Sequence, residues 1–185
     1  MKTVNDLALM PEVNAHCQRV AAYSYMFTLA LGYSEKAAWN MYTAGREHDL
    51  GKLFVDSKIL NSNKKLSEIE KQEIAKHTSD YYLNQCMFTS NLSRTVAKHH
   101  HMHYTEIPKA AQIVAICDVY DALTTPRSYE KEHNGEMIKD TKDGLDSYSA
   151  LNIMMTDPRQ NNLNRELLMV FAHAICPEFE TEINY

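Results

Sequence analysis

His48 and Asp49 stand side by side in the stretch Gly45-Arg46-Glu47-His48-Asp49-Leu50-Gly51-Lys52, near the end of an apolar-periodic run that predicts a helix. An imidazole beside a carboxylate is a pair of metal donors, yet two donors leave open most of the roughly four to six positions around a divalent ion. The chain holds candidates for the rest: Glu12 and His16, His77, the run His99, His100, His101 and His103, and Asp118. Glu12 and His16 are four apart, so a helix presents both on one face. Adjacent donors at a helix end, in His48-Asp49 and again in His99-His100, are an arrangement that a solvated face has no reason to contain. A mixed nitrogen and oxygen set without thiolates favours iron, manganese or zinc at a reactive centre over a structural zinc.

The elements that must carry these donors are helical. With 185 residues, 44% hydrophobic and 23% charged, the chain is predicted to form one domain, 1–185, with a sizeable core. Five glycines and five prolines leave few turns, and long Ala/Leu/Met/Glu/Lys-rich runs predict an all-α bundle of about seven helices. Pro11-Glu12 opens a helix that runs to about Leu31, where Gly32 is placed to terminate it. Ser34 caps a second helix that reaches His48-Asp49 and ends at Gly51. Phe54 to Lys65 reads as a loop, and Ser67-Glu68-Ile69-Glu70 is a capping box opening a third helix that carries His77. Further helices are predicted at about 80–87, 90–101, 108–124, 146–155 and 163–175, with a turn at 157–162.

Charge and composition remove several classes of function. A formal charge of −5 offers no basic face to track a DNA or RNA backbone, whereas small anions remain accessible through local lysine, arginine or metal charge. Cys17, Cys86, Cys117 and Cys176 are widely separated without a CxxC pair, which predicts buried free thiols in a reducing cytoplasm. No long apolar run marks an export signal or a membrane span.

Five stretches then line up in order. They are Glu12-Val13-Asn14-Ala15-His16 with Arg19-Val20; His48-Asp49-Leu50-Gly51-Lys52; Ile59-Leu60-Asn61 with Lys65-Leu66-Ser67 ahead of His77; His99-His100; and Asp118-Val119-Tyr120-Asp121-Ala122-Leu123-Thr124 with Arg127 and Tyr129. From Glu12 to about Tyr129 the chain thereby resembles the HD-GYP branch of the HD-domain metal-dependent phosphohydrolases. The resemblance implies hydrolysis of a cyclic dinucleotide, chiefly cyclic di-GMP, with two or three ions of iron or manganese, zinc being the alternative. It implies His16, His48, Asp49, His77, His99, His100 and Asp118 as ligands, Asp49 bridging two ions, and Glu12 as the extra carboxylate of members with a third. Lys52 matches the lysine on the scissile phosphate, and Arg127 a substrate-contacting arginine.

The chain departs from that family in two places. After His99-His100, His101-Met102-His103-Tyr104-Thr105-Glu106 runs almost directly into Ile107-Pro108, so the loop with the GYP signature is missing. In the family that loop holds substrate and contacts GGDEF-domain partners. After Arg127 the family's Pro-Tyr-Lys is Ser128-Tyr129-Glu130-Lys131, which displaces a substrate lysine. Outside the pattern, His101 and His103 read as solvated loop residues, and His133 and His173 as structural. Tyr81, Tyr82 and Tyr104 read as core or rim, and Lys64 and Lys65 as a solvated turn. Asp121, on the face of Asp118, is placed to orient a ligand histidine.

Phosphodiester hydrolysis needs a nucleophile at neutral pH and neutralisation of the non-bridging oxygens. Paired ions supply both, and Lys52 stabilises the developing charge without any protein nucleophile. The reading is a metal-dependent cyclic-dinucleotide phosphodiesterase. A mononucleotide phosphohydrolase, or a nucleotide sensor without turnover, would use the same donors.

Overall fold

The computed structural model describes residues 1–62, 64, 66–133 and 136–180, with backbone alone over 127–133 and 136–142. A 3-10 turn, Val4–Leu9, leads into α1, Pro11–Ala30. Proline suits the first turn of α1 because it lacks an N–H that would have no helical partner. Gly32 follows its end at φ 80°, a left-handed conformation that glycine adopts without strain. Ser34 then accepts from the Ala37 N–H and starts α2, Glu35–Glu47. After it come a 3-10 turn, Leu50–Phe54, and a four-residue α3, Ser57–Leu60. α4, Glu68–Ala75, opens on the Ser67/Glu70 capping box and passes into the 3-10 turn Lys76–Thr78. α5, Asp80–Leu83, is again short, and α6 spans Asn91–His99. α7, Lys109–Thr124, begins behind Pro108. The last two helices are α8, Ser147–Thr156, and α9, Arg165–Ile175.

Among the described residues seven helices reach eight residues or more, and the bundle is all-α as the composition predicts. Its core joins Val20 and Phe27 of α1, Met41 of α2, Val96 of α6, Ile113 and Ile116 of α7, Leu151 and Met154 of α8, and Leu168 and Phe171 of α9. A smaller cluster of Leu7, Cys17, Leu50 and Cys86 seals the amino-terminal end beneath the Leu50–Phe54 turn. All four cysteines are buried and free.

Four local expectations are corrected. α2 stops at Glu47 instead of carrying on through Asp49, so His48 and Asp49 lie where the helix turns into the 3-10 segment. His77 sits in the Lys76–Thr78 turn and not on the third helix itself. The loop predicted over 54–65 contains α3, and Asn63 and Lys65 lie outside the described residues. Beyond α7, where no element was expected, an antiparallel pair joins β1, Arg127–His133, to β2, Glu136–Lys142, in the register Arg127↔Lys142 to His133↔Glu136.

Candidate metal centre

Five segments deliver the donors to one place. α1 brings His16, the end of α2 His48 and Asp49, the turn after α4 His77, the end of α6 His100, and α7 Asp118. His48, Asp49, His77 and His100 are buried, and His16 and Asp118 lie partly exposed at the rim. Gly51 makes the approach of the third segment, the turn with His77, possible, because a Cβ there would lie 1.9 Å from the His77 carbonyl oxygen.

Each buried ring is fixed by its Nδ1. His48 Nδ1–H donates to the Gly45 carbonyl at 2.7 Å and His77 Nδ1–H to that of Ile74 at 2.6 Å. His100 Nδ1–H meets the carbonyls of Val96 and Ala97 at 3.2 and 3.1 Å. A carbonyl only accepts, so each Nδ1 carries a proton and each Nε2 points inward. His16 is held instead by Asp121, whose Oδ2 lies 2.7 Å from its Nδ1, and Arg19 anchors that carboxylate through Nε at 2.6 Å and a terminal nitrogen at 3.0 Å. The orienting role expected of Asp121 is the one it takes here. Such a partner sets both the tautomer and the ring plane of a ligating histidine.

Asp49 lies between two groups of nitrogens. Its Oδ2 is 3.4 Å from His48 Nε2 and 3.6 Å from His16 Nε2; its Oδ1 is 3.2 Å from His77 Nε2 and 3.8 Å from His100 Nε2. Asp118 Oδ1 closes the first side, 3.1 Å from His16 Nε2 and 3.9 Å from His48 Nε2. Donors sharing an ion at about 2.1 Å stand about 3 to 3.5 Å apart, and the separations here run from 3.1 to 3.9 Å. The fit goes further. His48 Nε2, Asp49 Oδ1, His77 Nε2 and His100 Nε2 are buried with no hydrogen-bond partner, although such groups are nearly always satisfied. Cations held between them would satisfy these atoms, and the possible donors gather into His16/His48/Asp49, His48/His100/Asp118 and His77/His100/His101.

That last group contains a correction. His99 does not join it: its Nδ1–H donates to the Thr95 carbonyl at 2.8 Å, outside the three groups. Successive helical residues point about 100° apart, so a helix that aims His100 inward turns His99 away. Past the end of α6 the chain folds back, and the His101 ring comes 4.0 Å from that of His100 and 5.1 Å from that of His77. His101, read from sequence as a solvated residue, is instead the one that joins the third group. The signal was present in the phase of the helix, since His100 is four residues on from buried Val96. Glu12 is exposed at the first turn of α1, about 6 Å along the axis from His16, and stands outside the three groups. Arg127 opens β1, and its side chain lies outside the described residues.

The Lys52 ammonium pairs with Asp49 Oδ2. Burial opposes its charge, but Asp49 and Asp118 outweigh burial and raise its pKa. The carboxylates draw protons onto their neighbours in the same way. Burial lowers the His16 pKa, yet Asp118 and Asp121 bring it up to about 9. Burial likewise opposes a charge on His48, and Asp49 overrides it. On the other side, burial and then repulsion from His101 and His48 push the His100 pKa well below the imidazole range, and burial takes His101 to about 4. His100 and His101 are neutral nitrogen donors at pH 7.

Residues 13–123 match the HD domain family. The chain belongs to the HD domain family. HD-domain phosphohydrolases are metal-dependent, and the His/Asp groups of this HD domain could bind metal. It is similar to a 3'3'-cGAMP-specific phosphodiesterase 2 of Vibrio cholerae serotype O1, at 30% identity over 70% of this chain and 27% of the relative. It is similar also to a cyclic di-GMP phosphodiesterase of Pseudomonas aeruginosa, at 35% over 49% of this chain and 25% of the relative. A cyclic di-GMP phosphodiesterase response regulator of Xanthomonas campestris pv. campestris is 28% identical over 64% of this chain and 35% of the relative. The HD-domain chain thus spans about a quarter to a third of the length of the curated relatives it matches. Among its described residues no helix is long and apolar enough to cross a membrane.

Proposed function

We propose that the chain is a metal-dependent phosphodiesterase that opens a cyclic dinucleotide by attack of water on phosphorus, residues 1–185 acting as one HD-GYP-like domain. The observation that carries this reading is the two-sided Asp49 carboxylate, with Oδ2 toward His16 and His48 and Oδ1 toward His77 and His100. One ion would be held by His16, His48, Asp49 and Asp118, and a second by Asp49, His77, His100 and His101. Iron or manganese suits this imidazole and carboxylate set, with zinc as the competitor to be measured. When bound, such ions supply an ionisable water at neutral pH and positive charge against the phosphate oxygens.

The chain's own groups do the rest. Asp121 holds the His16 ring in plane, and Arg19 holds Asp121. Lys52, charged and partly buried beside Asp49, donates to the phosphate as negative charge grows on it. The relatives named for 3'3'-cGAMP and cyclic di-GMP support a cyclic dinucleotide as substrate. Without the GYP loop, fewer polar groups would be left unpaired by a wrong base, so discrimination between such substrates is weak. The same loss removes the family's GGDEF-domain contact.

The test is metal analysis of anaerobically prepared protein joined to a hydrolysis panel of cyclic di-GMP, 3'3'-cGAMP, linear dinucleotides and mononucleotides. The proposal expects two ions per chain and cleavage of more than one cyclic dinucleotide. Lys52→Ala should lower turnover far more than metal content. Cleavage of mononucleotides alone, or full metal loading without turnover, would contradict it.

A further inference from the structure

The connection from α6 to α7 passes the candidate centre, and a single side chain ties it down. Gln112, in the first turns of α7, sends its Nε2 hydrogens back to that connection, to the Tyr104 carbonyl at 2.9 Å and the Ile107 carbonyl at 3.1 Å. Both partners only accept, so the nitrogen end of the amide must face them. The opposite end is engaged too: Gln112 Oε1 accepts from Asn164 Nδ2 at 3.0 Å, while Asn164 Oδ1 caps α9 by accepting from the Leu167 N–H at 3.2 Å. Beside this pair the Tyr104 N–H donates to the Asn162 carbonyl at 3.0 Å. A continuous chain of hydrogen bonds therefore runs from the start of α9 through Gln112 to the segment that follows His101. His101 is half exposed and lies past the end of α6, so its own helix does not fix it.

We propose that Gln112 and Asn164 are positioning residues for the centre: by clamping the connection at Tyr104 and Ile107 they hold His101 against His77 and His100. The inference rests on reading His101 as a donor to the second ion. Two amides whose polar ends are committed to backbone and to each other make a rigid brace. A flexible connection would instead have to order itself each time an ion binds.

Cobalt(II) titration of the full chain, read by visible absorption and calorimetry, tests this together with hydrogen exchange over residues 102–107. Gln112→Met keeps the length of the side chain and removes its donors and acceptor. It should weaken one of two ions by about ten- to a hundredfold, the usual effect of losing a group that orients a ligand, and leave the other unchanged. His101→Ala should lose the same ion, and exchange at the Tyr104 amide should speed up in Gln112→Met. Asn164→Asp keeps the cap oxygen, loses the donor to Gln112 and sets a carboxylate oxygen against Gln112 Oε1, so a loss at the same ion is expected even if Gln112→Met folds poorly. If both clamp variants bind two ions as tightly as the parent while His101→Ala loses one, the clamp is wrong and the centre stands. Equal weakening of both ions in the clamp variants also overturns the clamp, because it marks general destabilisation. If His101→Ala binds both ions unchanged, the reading of His101 fails and takes the inference with it.

Discussion

Oδ1 of Asp49 lies 3.2 Å from Nε2 of His77, both buried without a hydrogen-bond partner, while His77 Nδ1–H donates to the Ile74 carbonyl. Oδ2 of the same carboxylate faces His48 and His16. A carboxylate so placed serves two ions, whereas Glu12 stands apart at the start of α1. Asp49→Ala should therefore strip both ions from the chain, and Glu12→Ala should leave both. Metal content per chain after gel filtration decides the matter, and retention of one tight ion in Asp49→Ala would argue against the bridge.

His99 and His101 make a matched pair of tests. One ring donates to Thr95 at the side of α6, while the other stands against His77 and His100. His101→Ala is expected to lose one ion and most turnover, and His99→Ala to keep both. The reverse pattern in metal content would restore the His99-His100 pair as the ligands.

Gly51 carries no chemistry but sets the position of His77. A Cβ at residue 51 would fall 1.9 Å from the His77 carbonyl oxygen and 2.7 Å from its carbonyl carbon, and backbone cannot step aside as a flexible side chain can. Gly51→Ala should cost about 3 kcal/mol in urea denaturation, at the upper end for overpacking. It should also weaken metal binding, since His77 shifts with its turn. A variant of parental stability and metal content would show that the two turns separate easily.

Acidity should act on the metal-free protein from both sides. His16 has its pKa raised to about 9 from the usual 6.5, so the folded state holds its proton more tightly than the unfolded chain. That contribution is fully present below pH 6.5 and is lost as pH rises towards 9, with His48 acting in the same direction. His101, lowered to about 4, and His100, also lowered, act oppositely and withdraw stability as pH falls from 6.5 towards 4. The melting temperature of chelator-treated protein should peak near pH 6.5. With metal bound the alkaline decline should vanish, because the ion takes the place of those protons. Denaturation scans from pH 4 to 9, with and without metal, measure both effects, and an alkaline decline of equal size in both would count against the centre.

What the sequence determined by itself was mostly local. Apolar periodicity, the Ser34 cap and the Ser67/Glu70 capping box place helix starts within a residue or two, because those signals act through hydrogen bonds inside a single turn. The donor types at His16, His48, Asp49, His77, His100 and Asp118 were legible for the same reason: chemistry belongs to the residue. Tertiary structure decided which donors meet. It set His101 rather than His99 beside His100, because the choice depends on the phase of α6 against Val96 and on how the chain folds back beyond the helix end. Glu12 was left outside by its position along the axis of α1, which four-residue spacing does not reveal. The need for Gly51 was likewise hidden, since it read as a helix terminator and is instead the point where two distant turns touch. The two faces of Asp49 arise in the same way: four segments must be packed around one carboxylate before its oxygens can be told apart.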